Sequence, residues 1–228
     1  MPDPITAHQT PPIPNPQSPI PSLIAVVDTE AAARCGWRPI DLARAFLDGG
    51  ARLLQLRAKN LPSGTFLDLA VGIAELTRGA GARLIVNDRA DIARLARADG
   101  VHVGQEDLAP AAVRALVGPA AMVGVSTHTI EQIDRAVAGP ASYVAIGPVF
   151  PTTTKATGYD PVGLELVAAA AARAGARGLP LVAIGGITLA TAPSVIAAGA
   201  ASVAVIGDLL ATGDPRARVG EYVQRLSG

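Results

Sequence analysis

From Leu23 onward, short apolar runs alternate with longer stretches of helical period. The runs predict strands over Leu23–Val27, Leu53–Leu56, Leu84–Val86, Gly100–Val103, Met122–Val125, Tyr143–Ile146, Leu181–Ile184 and Ser202–Ile206. They are apolar at successive positions rather than at every second one, as strands covered on both faces are. The stretches between them predict helices over Ile40–Leu47, Gly64–Arg78, Asp91–Ala96, Pro110–Leu116, Ile130–Val137, Gly163–Ala174, Thr191–Ala198 and Arg216–Leu226. In the second of these, Phe66, Leu67, Ala70, Ile73, Ala74 and Thr77 share one face. A strand–helix repeat of this kind predicts an α/β protein with one closed parallel sheet, a (β/α)8 TIM barrel spanning residues 22–228. An open, doubly wound sheet is the alternative, but no GxGxxG follows the first strand.

Composition changes the picture at one end. Residues 1–21 carry proline at positions 2, 4, 11, 12, 14, 16, 19 and 21. Proline lacks an N–H and fixes φ, so this Pro-rich extension is expected to be extended or disordered, not part of the barrel. It shows no basic stretch followed by an apolar one, so it does not read as a secretory signal. Across the 228 residues half are hydrophobic, enough for a large core. Nineteen basic and nineteen acidic residues cancel, which gives no electrostatic reason to expect nucleic acid or a membrane surface as partner. Cys35 is the only cysteine and cannot form an internal disulfide, as expected of a cytoplasmic protein. A homo-oligomer is compatible with all of this.

Chemistry gathers at the strand ends. Parallel barrel strands point one way, so residues just after each strand meet at a single face. Strand 2 ends in Gln55-Leu56-Arg57-Ala58-Lys59, strand 3 in Asn87-Asp88-Arg89, and strand 4 in His102-Val103-Gly104-Gln105-Glu106-Asp107. Strand 5 ends in Ser126-Thr127-His128, and strand 6 leads to Thr152-Thr153-Thr154-Lys155. Strand 7 ends in Gly185-Gly186 and strand 8 in Ile206-Gly207-Asp208. Arg57, Lys59 and Lys155 put three cations on one rim, suited to a polyphosphate. Two readings stay open for Asp88 and Asp107: partners for those cations, or ligands of Mg²⁺, which is held by one or two carboxylates plus phosphates and water. Asp91 and Glu106 are expected to be drawn into a helix start and a loop. Gly185, Gly186 and Gly207 leave backbone amides open to a second phosphate. No metal-binding Cys/His spacing and no GxSxG is present, and Ser126 with His128 lacks an evident third member, so covalent catalysis is not expected.

The segments QLRAK at 55–59, VNDRADIA at 86–93, DGVHVGQEDL at 99–108, VGVSTHT at 123–129, GPVFPTTTK at 147–155, AIGGI at 183–187 and AVIG at 204–207 resemble the thiamine phosphate synthase family, in order and spacing. The resemblance implies a barrel transferase that binds a hydroxymethylpyrimidine diphosphate and a thiazole phosphate. It places Arg57, Lys59, Asn87, Ser126 and Lys155 on the diphosphate, with Arg57, Lys59, Ser126 and Lys155 as the catalytic set. It gives Mg²⁺ to Asp88 and Asp107. Thr152, Thr154, Gly185, Gly186 and the Ile206–Gly207 backbone would hold the thiazole phosphate, and Gln55 and His102 would approach the pyrimidine. Ala58 and Gly207 depart from the family pattern, which has an acidic residue and a serine there. The loop from Phe150 to Tyr159 is the expected lid. A thiazole tautomerase using His128 as acid/base, and a non-catalytic sensor of thiamine-related phosphates, are the rival readings.

Overall fold

The computed structural model describes residues 20–152 and 158–227. The Pro-rich extension lies outside these residues except for its last two, and so do residues 153–157. Eight strands form one closed barrel in sequence order: β1 Leu23–Asp28, β2 Leu53–Arg57, β3 Arg83–Asn87, β4 Gly100–Val103, β5 Met122–Thr127, β6 Tyr143–Ile146, β7 Leu181–Ile184 and β8 Ser202–Val205. Every neighbouring pair is parallel, and β8 closes on β1 with Leu23 opposite Val203. The open doubly wound sheet is thereby excluded.

The helices form the outer layer: α1 Thr29–Arg34, α2 Pro39–Asp48, α3 Ser63–Gly79, α4 Ala90–Leu95, α5 Pro110–Val117, α6 Ile130–Val137, α7 Gly163–Gly175, α8 Ala192–Ala197 and α9 Pro215–Arg225. Proline at the first or second position opens α2, α5, α8 and α9, where its missing N–H costs nothing. Two short elements were not expected from the sequence. Helix α1 follows β1 directly, started by the Asp28 carboxylate, which accepts the Ala31 amide at 2.7 Å. A 3₁₀ turn, Gly207–Leu210, follows β8 because the chain leaves the extended region at Ile206, where ψ is −80°. The last strand therefore stops one residue short of its expected end.

Two apolar layers result from the alternation of side chains along each strand. Outward residues such as Ala25, Leu54, Val86 and Val144 join helix residues such as Phe46, Ile73, Val113 and Val219 in the large outer core. Inward residues Ile24, Val26, Leu53, Ile85, Tyr143, Ala145, Val182 and Ala204 fill the barrel, with Ile20 and Met122 packed against them. The barrel is thus plugged by side chains over its lower part, and only its C-terminal mouth is free to bind a ligand.

Candidate active site

The inward positions turn from apolar to polar as each strand nears that mouth. In β1 Ile24 and Val26 are followed by Asp28, in β2 Leu53 by Gln55 and Arg57, and in β3 Ile85 by Asn87. His102 ends the inward face of β4, and Ser126 that of β5. Above this polar layer opens a cavity of about 360 Å³. Gln55, Arg57, Asn87, His102 and Ser126 line one side; Gly185, Gly186, Ile206 and Gly207 line the other, with Thr152 above them.

The first side is built from charged and polar side chains. Arg57 forms an ion pair with Asp28, its neighbour in the β1–β2 register. Asp28 is only 2% exposed, so the pair is screened little by solvent and holds the guanidinium in one orientation. The Arg57 Nε is buried and has no hydrogen-bond partner among the described residues. An unmet buried donor is costly, and a guanidinium with a spare donor beside a cavity suits an anionic ligand. Sequence reasoning passed over Asp28. Its signal was parity: it stands two residues after Val26 on the inner face, at the end of an apolar strand.

Next to this wall, on the rim rather than in the lining, sit Lys59, Asp88 and Asp107. The Lys59 ammonium lies 2.5 Å from the Asp88 carboxylate. Asp88 adopts a left-handed backbone, φ 63°, and its amide donates to the His102 carbonyl at 2.7 Å, which turns the chain outward after β3. Asp107 accepts the Gly104 amide at 2.7 Å. Burial pushes its carboxyl above the ordinary carboxylate range, and the neighbouring Asp88 adds to the rise. Asp107, raised in part by the adjoining Asp88, makes with it a ready ligand pair for a divalent cation, although no group of three or more such ligands occurs among the described residues. That donor set fits Mg²⁺ completed by phosphate and water, and does not fit a fully protein-bound metal. Asp91, in the first turn of α4, is taken up by Arg89 at 2.6 Å.

The opposite side is built from backbone. Gly185 and Gly186 have φ of 99° and 66°. A Cβ at Gly185 would stand 2.6 Å from Pro148 Cα, and one at Gly186 2.6 Å from the Pro151 carbonyl oxygen. Both positions therefore require glycine twice over, for conformation and for space. The close approach arises because the chain after β6 zips onto the end of β7: Val149 donates to the Ile184 carbonyl and Phe150 to that of Gly185.

Behind this wall, Asp208 collects three elements. Its carboxylate accepts the Leu189 amide at 3.0 Å and the Tyr222 hydroxyl at 2.7 Å, and it pairs with Arg218 at 2.9 Å. Although Asp208 borders the cavity, its charge is balanced by Arg218, so this side stays neutral overall.

Residues 23–209 match the family described as thiamine monophosphate synthase. The chain belongs to that family. The thiamine-phosphate synthase of Roseiflexus sp. (strain RS-1) is 43% identical over 94% of this chain and 89% of its own length. That of Moorella thermoacetica is 44% identical over 85% and 92%. Among solved structures, the thiamine phosphate pyrophosphorylase from Pyrococcus furiosus superposes with a TM-score of 0.80 at 29% identity, covering 91% of this chain and 97% of its own. A 3-hexulose-6-phosphate synthase, at 22% identity and a TM-score of 0.63, shares the fold alone.

Of the residues that the thiamine monophosphate synthase signature singles out, the structure brings Gln55, Arg57, Asn87, His102, Ser126, Thr152, Gly185, Gly186, Ile206 and Gly207 around one cavity. Lys59, Asp88 and Asp107 form their own cluster beside it. Thr154 and Lys155 lie outside the described residues. The His128 ring donates from Nδ1 to the Gly147 carbonyl and stacks on Tyr159 with centroids 3.7 Å apart. His128 thus ties the start of the β6–α7 loop to the residues that close it, a structural role in this family member.

Proposed function

We propose that this chain joins 4-amino-5-hydroxymethyl-2-methylpyrimidine diphosphate to 4-methyl-5-(2-phosphoethyl)thiazole, giving thiamine phosphate and diphosphate. One observation carries the reading: a single mouth divided into a wall of charged and polar side chains and a neutral glycine wall. Two phosphorylated substrates of different charge, bound face to face, need that division.

In the reaction the bond between the pyrimidine CH₂ and the diphosphate oxygen breaks, and its electron pair leaves with the diphosphate. A new bond forms from the thiazole nitrogen to the same carbon. Neither step consumes a protein nucleophile, in keeping with a site that has cations and hydroxyls but no activated one. Arg57, Lys59, Ser126 and Lys155 stabilise the charge that develops on the departing diphosphate, and Asn87 orients it. Asp88 and Asp107 would hold Mg²⁺, which supplies charge neutralisation when bound. Thr152, Thr154, the Gly185-Gly186 turn and the Ile206–Gly207 backbone hold the thiazole phosphate. Gln55 and His102 face the pyrimidine. Water must be kept from the pair, since it would otherwise capture the pyrimidine cation; the expected lid, Phe150 to Tyr159, has residues 153–157 outside the described ones.

The rival tautomerase reading needs His128 free to exchange protons, whereas its ring is engaged with Gly147 and Tyr159. No helix among the described residues is long and apolar enough to cross a membrane, and the single cysteine supports a cytoplasmic setting. The test is an assay with both phosphorylated substrates, with and without Mg²⁺. Equimolar thiamine phosphate and diphosphate, formed only with the metal, is the expected result; absence of coupled product would sink the proposal.

A further inference from the structure

Beneath the charged wall lies a hydrogen-bond chain of which the proposed chemistry uses only the upper members, His102 and Ser126. Tyr143 begins β6 and is fully buried in the barrel interior. Its hydroxyl meets His102 Nδ1 at 2.9 Å, and His102 Nε2 meets Ser126 Oγ at 2.7 Å. The three residues stand on β6, β4 and β5, and the chain climbs from the plugged barrel to the cavity wall.

Register explains how Tyr143 and His102 touch across an intervening strand. Gly124 of β5 pairs with His102 on one side and with Tyr143 on the other. A Cβ at Gly124 would fall 2.1 Å from Tyr143 Cζ and 2.5 Å from His102 Nδ1. The missing side chain is the gap through which the phenol reaches the imidazole.

The chain has a direction. Among the described residues the Tyr143 hydroxyl has no hydrogen-bond partner other than His102 Nδ1. Burial keeps the phenol protonated, since it pushes the hydroxyl well above its ordinary range. A buried O–H left without an acceptor forfeits its full hydration, so the Tyr143 proton points at Nδ1. His102 is then neutral with its proton on Nε2, and that proton points at Ser126 Oγ. Ser126, already accepting, has its own proton free to turn toward the cavity.

We infer that Tyr143 is a positioning residue: acting through His102, it fixes Ser126 as a hydrogen-bond donor aimed at the anion in the cavity. The inference rests on the proposed diphosphate site, because a donor held outward is useful only against an acceptor that carries negative charge. Linked donors polarise one another, so the Ser126 hydroxyl is a stronger donor than an isolated serine would be.

The test reads the imidazole tautomer and anion binding separately from turnover. In the full-length ¹⁵N-labelled protein, His102 should show a protonated Nε2 and an unprotonated Nδ1, with the signals assigned by their loss in His102→Gln. A protonated Nδ1 would overturn the inference. Tyr143→Phe keeps the ring volume and should relax that preference while weakening inorganic diphosphate binding about 3- to 10-fold, as expected for one neutral hydrogen bond. In the Ser126→Ala background the same substitution should have no further effect on diphosphate binding. An equal loss in both backgrounds would show that Tyr143 acts through packing alone and would overturn the relay. Because neither readout requires thiamine phosphate to form, a failed synthase assay would count against the proposed function and leave the relay to be judged on these results.

Discussion

In the proposed function the two walls of the cavity bind phosphate with opposite materials. On the β2–β5 side the work falls to side chains: Arg57 locked to Asp28, Lys59 on Asp88, and Ser126 fed by His102. On the β7–β8 side it falls to main chain, at two glycines forced into left-handed conformations by the loop that leans on them. Charge is strong but must be neutralised when no substrate is present, which is why the first wall is full of ion pairs. Backbone carries no such cost, but it depends on the fold around it for its shape. The difference predicts that substitutions on the first wall change rate, whereas those on the second change affinity and stability.

The largest effect is expected where charge is densest. Asp88→Asn with Asp107→Asn should lower turnover by roughly 10³-fold or more and remove its dependence on Mg²⁺, since charge neutralisation by a metal contributes several kcal/mol. Steady-state assays over a Mg²⁺ titration check this, and a double variant with near-normal, metal-stimulated turnover would erase the division between the walls. Lys155→Ala comes next, with a loss on the order of 10²-fold in kcat and little change in the KM of the thiazole phosphate. A rise confined to that KM would instead move Lys155 to the other wall.

Gly186→Ala tests the backbone wall. The new methyl meets the Pro151 and Phe150 carbonyls at a φ of 66°, so both the turn and the loop above it must shift. We expect a stability loss of about 1–3 kcal/mol in denaturant unfolding and a roughly tenfold higher KM for the thiazole phosphate. An unchanged KM with the full stability loss would mean that the turn shapes the barrel mouth without touching phosphate.

The walls also differed in how far the sequence disclosed them. Strands β4, β6 and β7 begin and end where their apolar runs do, and the charged residues just beyond the runs are where a parallel barrel must bring them together. Arg57, Asn87 and Ser126 were legible because residue type and position agree. Asp28 was not, because its partner is a neighbour in register and not in sequence. Helix α1 escaped notice because it follows β1 with no joining loop, and the cap that starts it is the same Asp28. Gly185 and Gly186 were legible as open amides, but only the approach of Pro148 and Pro151 shows that nothing larger fits. The Tyr143–His102 contact had no sequence signal at all, since it passes through the space that Gly124 leaves.

Asp208 gives the finest test of the comparison, because it is a charged residue serving the uncharged wall. Its carboxylate accepts from Leu189 in the loop after β7 and from Tyr222 on α9, and it balances Arg218. Asp208→Asn preserves size and leaves the amide oxygen able to accept, but leaves only Glu221 to balance a guanidinium whose side chain is only 17% exposed. Breaking a buried pair costs 3–5 kcal/mol; with solvent reaching the edge of this one, we expect about 1–3 kcal/mol in unfolding experiments. The released positive charge lies behind the phosphate wall and could strengthen anion binding, whereas loosening the loop at Leu189 would weaken it. Because the glycine wall works through shape, loosening should dominate: KM for the thiazole phosphate rises about 2- to 5-fold, with kcat and the KM for the pyrimidine diphosphate unchanged. A lower KM for the thiazole phosphate would show that charge, held in check by Asp208, governs this wall as it does the other.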